Sequence, residues 1–149
     1  MEDRQISCCF SGHRPSKLPW GHDESDPACV QLKEEINGVL SNLYERGFRH
    51  FICGMAQGCD MYFGEAVAEA KLCYPDITLE AAIPYEAQAD KYSPALKSRY
   101  DDILSMCDKR TVMCEKYERD CMLRRNQYMV DSSSVLIAVL DDTSGGTFS

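Results

Sequence analysis

Three short stretches of this 149-residue chain combine glycine with residues suited to a charged or hydroxyl-bearing ligand. They are Ser11-Gly12-His13-Arg14-Pro15, then Gly54-Met55-Ala56-Gln57-Gly58-Cys59-Asp60, then Asp141-Asp142-Thr143-Ser144-Gly145-Gly146-Thr147. Glycine lets a backbone approach an oxyanion closely and offer its N–H groups, and a following helix adds the positive end of its dipole. Arg14 can fork onto two phosphate oxygens while the N–H groups of Gly145 and Gly146 take others. Asp60 suits a ribose hydroxyl, because a carboxylate repels phosphate but accepts a sugar O–H. Read singly, each stretch also fits a blander role: a tight connection, a solvated loop charge or a terminal tail. Their joint occurrence is what selects a phosphate or nucleotide site.

The elements that must position them alternate in period. Residues 6–10 form an apolar run read as strand one. Leu32, Ile36, Val39, Leu40 and Leu43 follow at helical spacing, with Gly47 where a C-terminal cap belongs. Residues 48–53 read as strand two, and Phe63, Ala66, Val67 and Ala70 mark a second helix ending near Pro75. Residues 77–83 make strand three, stopped by Pro84. Leu96, Tyr100, Ile103, Leu104 and Cys107 give a third amphipathic helix. Residues 110–113 are strand four and 119–130 a fourth helix. Residues 135–140 are apolar without alternation, as in a strand covered on both faces of a parallel sheet. Strand–helix alternation throughout predicts an α/β fold, a doubly wound and mostly parallel sheet between helical layers, in one domain over 1–149. In such sheets ligands bind beyond the carboxyl ends of the strands, the address the three glycine stretches share.

Composition narrows the function classes. Lys and Arg number 16 against 24 Asp and Glu, a net charge of −8. That balance argues against a nucleic-acid surface, whose affinity rests on neutralising phosphates, and against a polybasic membrane anchor. No long apolar run follows a charged amino terminus, so a cytoplasmic chain without signal or membrane segment is expected. Nine cysteines include no C-x-x-C pair, which predicts buried reduced thiols rather than a metal cluster. No Walker A lysine and no G-x-G-x-x-G after strand one is present, so no familiar cofactor fingerprint is found. After residues 135–140 a glycine turn begins with no chain left for a helix. Either the native chain has been cut short, or that side of the strand is covered some other way, for which a homodimer or larger assembly is expected.

Five blocks together resemble a known family: S-G-H-R-P at 11–15, F-I-C-G-M-A-Q-G-C-D at 51–60, A-I-P-Y-E-A-Q at 82–88, R-N-Q-Y-M-V-D at 125–131 and the final G-G-T. They are similar to the YpsA-like family of the SLOG superfamily, Rossmann-like domains that include DprA and the LOG-type phosphoribohydrolases. The resemblance implies a pocket for a nucleotide-derived ligand related to ADP-ribose, NAD or AMP. Its walls would be Ser11, Gly12, Arg14, Gly54, Ala56, Gly58, Asp60, Gly145, Gly146 and Thr147. Glu65 is expected to face the same mouth. Asn126, among Met122, Met129 and Val130 at helical spacing, is expected to be partly core-facing and to need a backbone or ligand partner. The phosphoribohydrolases carry P-G-G-x-G-T-x-x-E, whereas residues 144–149 here read S-G-G-T-F-S, without the glutamate. Binding or sensing is therefore the leading reading. The alternative is an N-glycosidic phosphoribohydrolase using Glu65 or Asp60, and the third is DprA-like single-stranded DNA binding, which the charge disfavours.

Overall fold

Local signals start and stop the helices much as their residue types dictate. The computed structural model describes residues 4–12 and 18–139. Helix α1 (Pro27–Glu45) begins at Asp26, whose carboxylate accepts the Ala28 N–H at 2.8 Å, with Pro27 in the first turn. It ends at Gly47, φ +100°. There the Phe48 N–H reaches the Leu43 carbonyl and the Gly47 N–H the Tyr44 carbonyl, the paired bonds of a glycine-terminated helix. Helix α3 (Pro94–Ser105) repeats the opening device with Ser93 and Pro94. Helices α2 (Cys59–Cys73) and α4 (Cys121–Asp131) complete the set.

Five strands form one all-parallel sheet: β1 (Ser7–Ser11), β2 (His50–Cys53), β3 (Thr78–Tyr85), β4 (Lys109–Cys114) and β5 (Val135–Ala138). Their order is β4-β3-β2-β1-β5. Three successive right-handed steps in one direction put α1, α2 and α3 on one face, and the long return to β5 puts α4 on the other. The result is three-layered, with unequal layers. Alternate strand residues divide accordingly: Cys8, Phe10, Phe51, Cys53, Leu79 and Ile83 pack under the three helices. Cys9, Ile52 and Ala82 meet Met129 of α4.

Two expectations change. Pro84 does not stop strand three; β3 runs through it to Tyr85, paired with Cys114. The partner strand β2 ends opposite Ala81, so at Pro84 the strand has β4 alone beside it and one missing N–H is tolerated. The apolar run from Val135 belongs to an edge strand, only Ile137 of which is buried, rather than one covered on both faces. Leu140 lies outside the described residues.

A buried polar network that the hydrophobic periodicity does not reveal lies on the α4 side. Glu80, 1% exposed, accepts from His50 Nε2 at 2.8 Å, from Thr111 at 2.6 Å and from the Tyr128 hydroxyl. His50 Nδ1 lies 2.6 Å from the Thr78 hydroxyl. Three strands and α4 thus meet at one carboxylate.

All nine cysteines are free. Burial pushes the Cys8 and Cys53 thiols well up and the Cys107 thiol up to about 11, leaving them as protonated, unreactive small apolar groups. Thiol counting under denaturing, non-reducing conditions should return nine, and a reproducible seven or fewer would contradict this assignment.

Candidate ligand-binding site

The loop between β2 and α2 is shaped by two glycines and one strained residue. A Cβ on Gly54 would sit 2.7 Å from Arg125 Nη1 and 2.9 Å from Asp60 Oδ2, so only glycine lets both side chains close over the strand end. Met55 holds φ +63° with its side chain wholly buried, a left-handed conformation costing ~1–2 kcal/mol for a residue with a Cβ. Gly58 starts α2 at φ 85°, ψ −129°, a backbone region open essentially to glycine alone.

Asp60, in the first turn of α2 and 5% exposed, folds back so that its carboxylate accepts the Ala56 N–H at 3.2 Å. The loop is therefore tied to the helix it precedes. Gly12, at the end of β1, closes the other side: a Cβ there would meet the Cys59 Cβ at 2.5 Å and the Phe10 ring at 3.0 Å. Ser11 beside it is exposed. Its partner in register is Ala138, and the Val139 N–H donates to the Ser11 carbonyl at 3.0 Å. The chain thus leaves β1 and β5 side by side, at the point where strand order reverses. Ser11, Gly12, Gly54, Ala56, Gly58 and Asp60 all lie along this one edge. Arg14, Gly145, Gly146 and Thr147 lie outside the described residues.

A cleft of about 150 Å³ opens at the same edge, beyond β2 and β3. Ala56, Gln57, Tyr85, Gln88, Tyr92 and Met122 line it. Tyr100 approaches the Gln88 amide oxygen at 3.5 Å, and Tyr92 and Tyr100 meet edge to face at 5.8 Å. Larger clefts, about 260 and 300 Å³, run between α1 and α2 and do not touch the glycine loops.

Two expected site residues fall elsewhere. Glu65 is bound by Arg99 of α3 through contacts of 2.6 and 3.0 Å, and Arg99 also holds Glu24 at 2.5 Å. It lines the α1–α2 cleft with Lys33, Asn37 and Tyr62 instead of sharing a mouth with Asp60. Five helical residues turn the side-chain direction by about 140°, so the two carboxylates cannot look the same way. Asn126 is exposed rather than core-facing; the inward positions of α4 are Cys121, Arg125 and Met129. Its Oδ1 instead accepts from Arg125 Nε at 2.8 Å.

Arg125 is the site residue the sequence reading overlooked. It is 7% exposed, and its Nη1 donates to the Gly54 carbonyl at 2.5 Å, joining α4 to the loop across the sheet edge. The sequence signal for its burial is the i, i+4, i+8 spacing of 121, 125 and 129, although an arginine ordinarily faces solvent. Among the described residues, no group of three or more His, Cys, Asp or Glu side chains is arranged to hold a metal ion, and no helix is long and apolar enough to cross a membrane.

Comparison with known proteins matches residues 8–149 to the YspA SLOG family. A UPF0398 protein of Bacillus cereus (strain G9842) is 26% identical over 140 residues, covering 92% of this chain and 75% of the relative. A UPF0398 protein of Bacillus thuringiensis (strain Al Hakam) is similar to the same extent.

Proposed function

The chain belongs to the YspA SLOG family, and from that premise we propose that it binds a nucleotide-derived small molecule, of the ADP-ribose or AMP type, and releases it unchanged. The observation that carries this reading is the gathering of Gly12, Gly54, Gly58 and the buried Asp60 carboxylate at the one sheet edge where β1 and β5 end side by side. Close backbone approach with one buried acceptor suits a sugar hydroxyl beside a charged group. Catalysis by Glu65 is disfavoured, since Arg99 already holds both its oxygens. We place this binding activity in the cytoplasm.

ADP-ribose and AMP should each raise the thermal midpoint, because a ligand that binds only the folded state adds RT ln(1 + [L]/Kd) to stability. Asp60→Asn should weaken AMP and adenosine alike by roughly 10- to 100-fold, the worth of a hydrogen bond to a charged acceptor. Chromatography of the incubated ligand should show no free base. Steady base release that vanishes in Glu65→Gln would overturn the reading in favour of a hydrolase, and no binding of any nucleotide would end it.

A further inference from the structure

The cleft beyond β2 and β3 has a chemistry of its own. None of the six described residues that line it is acidic, in a chain that carries 24 Asp and Glu. The amides of Gln57 and Gln88 and the Tyr85 phenol supply neutral polar groups around it, while the Tyr92 hydroxyl donates to the Met55 carbonyl. Behind one wall lies Arg125, nine-tenths buried and always charged.

The donors of Arg125 are incompletely used. Nη1 serves the Gly54 carbonyl and Nε the Asn126 amide oxygen. Among the described residues Nη2 meets only the Met122 thioether, 3.9 Å away, and Met122 is itself a cleft wall. A thioether is a weak acceptor. Among the described residues no carboxylate stands within 4 Å of the guanidinium. Asp60 Oδ2 and Arg125 Nη1 both crowd the point that a Gly54 Cβ would occupy, and Oδ2 also accepts the Ala56 N–H. A buried cation so placed gains more from an incoming anion than an exposed one, since no hydration shell competes.

We propose that this cleft seats a phosphoryl group of the bound ligand, with Arg125 as its cationic partner once the flexible Met122 side chain moves aside. A volume near 150 Å³ gives room for a phosphate group. The remainder of the ligand then runs toward Asp60, because Ala56 both lines the cleft and bonds Asp60. The inference rests on the nucleotide-binding reading for the ligand's identity, while the oxyanion site stands on the cleft alone.

The test uses the full chain with inorganic phosphate, acetate, AMP and adenosine. Phosphate should raise the thermal midpoint of the parent protein more than acetate at equal ionic strength. Arg125→Met should lose phosphate binding at least tenfold and erase the preference for AMP over adenosine, and Arg125→Lys should recover part of both. Met122→Ala, which leaves the bonds to Gly54 and Asn126 in place, should bind phosphate as tightly as the parent or more so. In the parent protein, phosphate should shift the guanidinium ¹⁵N resonance that Arg125→Lys removes; this decides the matter if Arg125→Met fails to fold. AMP binding with an unchanged phosphate preference in Arg125→Met, or an unmoved guanidinium resonance, overturns the subsite and leaves the proposed function standing. Phosphate binding lost in Arg125→Met, with no nucleotide bound by the parent, keeps the subsite and removes the proposed function.

Discussion

Glu80→Ala should lower the unfolding free energy by about 3–5 kcal/mol, the cost of leaving buried partners of an ionic network without their acceptor. Glu80 is 1% exposed and His50 2%, so water cannot replace what the carboxylate supplies. Its removal strands the His50 ring N–H and the hydroxyls of Thr111 and Tyr128 together. Denaturant unfolding would show it as a lower midpoint at unchanged slope. A loss below about 1 kcal/mol would mean that the network is not closed in solution.

The same carboxylate sets an acid limit. Burial raises its pKa, yet the hydrogen bonds from His50, Thr111 and Tyr128 outweigh burial and leave it below the ordinary glutamate value. The folded state therefore binds this proton less readily than the unfolded chain does. Its contribution is complete above the unfolded value, about 4.3, and disappears as pH falls through the lower folded one. Glu80→Gln, which keeps the shape without the titration, should show a flatter decline of stability between about pH 5 and pH 3. Equal slopes for parent and Glu80→Gln in that range would remove Glu80 as the cause.

Phe63→Ala should cost a similar ~3–5 kcal/mol, the usual range for deleting a buried aromatic ring. Phe63 is fully buried, stacked on Phe10 with centroids 4.7 Å apart and an 8° angle, and tilted against Phe51 at 6.4 Å. These contacts press α2 onto β1 and β2. One turn earlier, Cys59 packs so closely on Gly12, and Asp60 on Gly54, that neither glycine has room for a Cβ. Loss of the ring should thus lower the thermal midpoint and weaken AMP together. Phe63→Leu should retain most of both, because a branched aliphatic fills much of the space. A Phe63→Ala protein destabilised by less than about 1 kcal/mol would show that the helix repacks without this stack.

What the residues determined alone was local. Asp26 and Ser93 beside prolines start helices, Gly47 ends one, and alternating periods give five strands and four helices in the expected order. The placement of Gly54, Gly58 and Asp60 at a strand end followed, because a parallel sheet puts every strand-to-helix loop on the same edge. Each of these features depends on neighbours within a few residues. Side-chain partners across the fold do not. The turn of α4 that buries Arg125 and exposes Asn126 is set by Gly54, 71 residues away in the chain. Glu65 is claimed by Arg99, 34 residues distant, and Glu80 by groups on two other strands and a helix. Pro84 is accepted only because β2 ends before reaching it. A charge or a proline reads from sequence as solvent-facing or strand-breaking, since burial of the one and pairing of the other are decided by what the sheet order brings alongside.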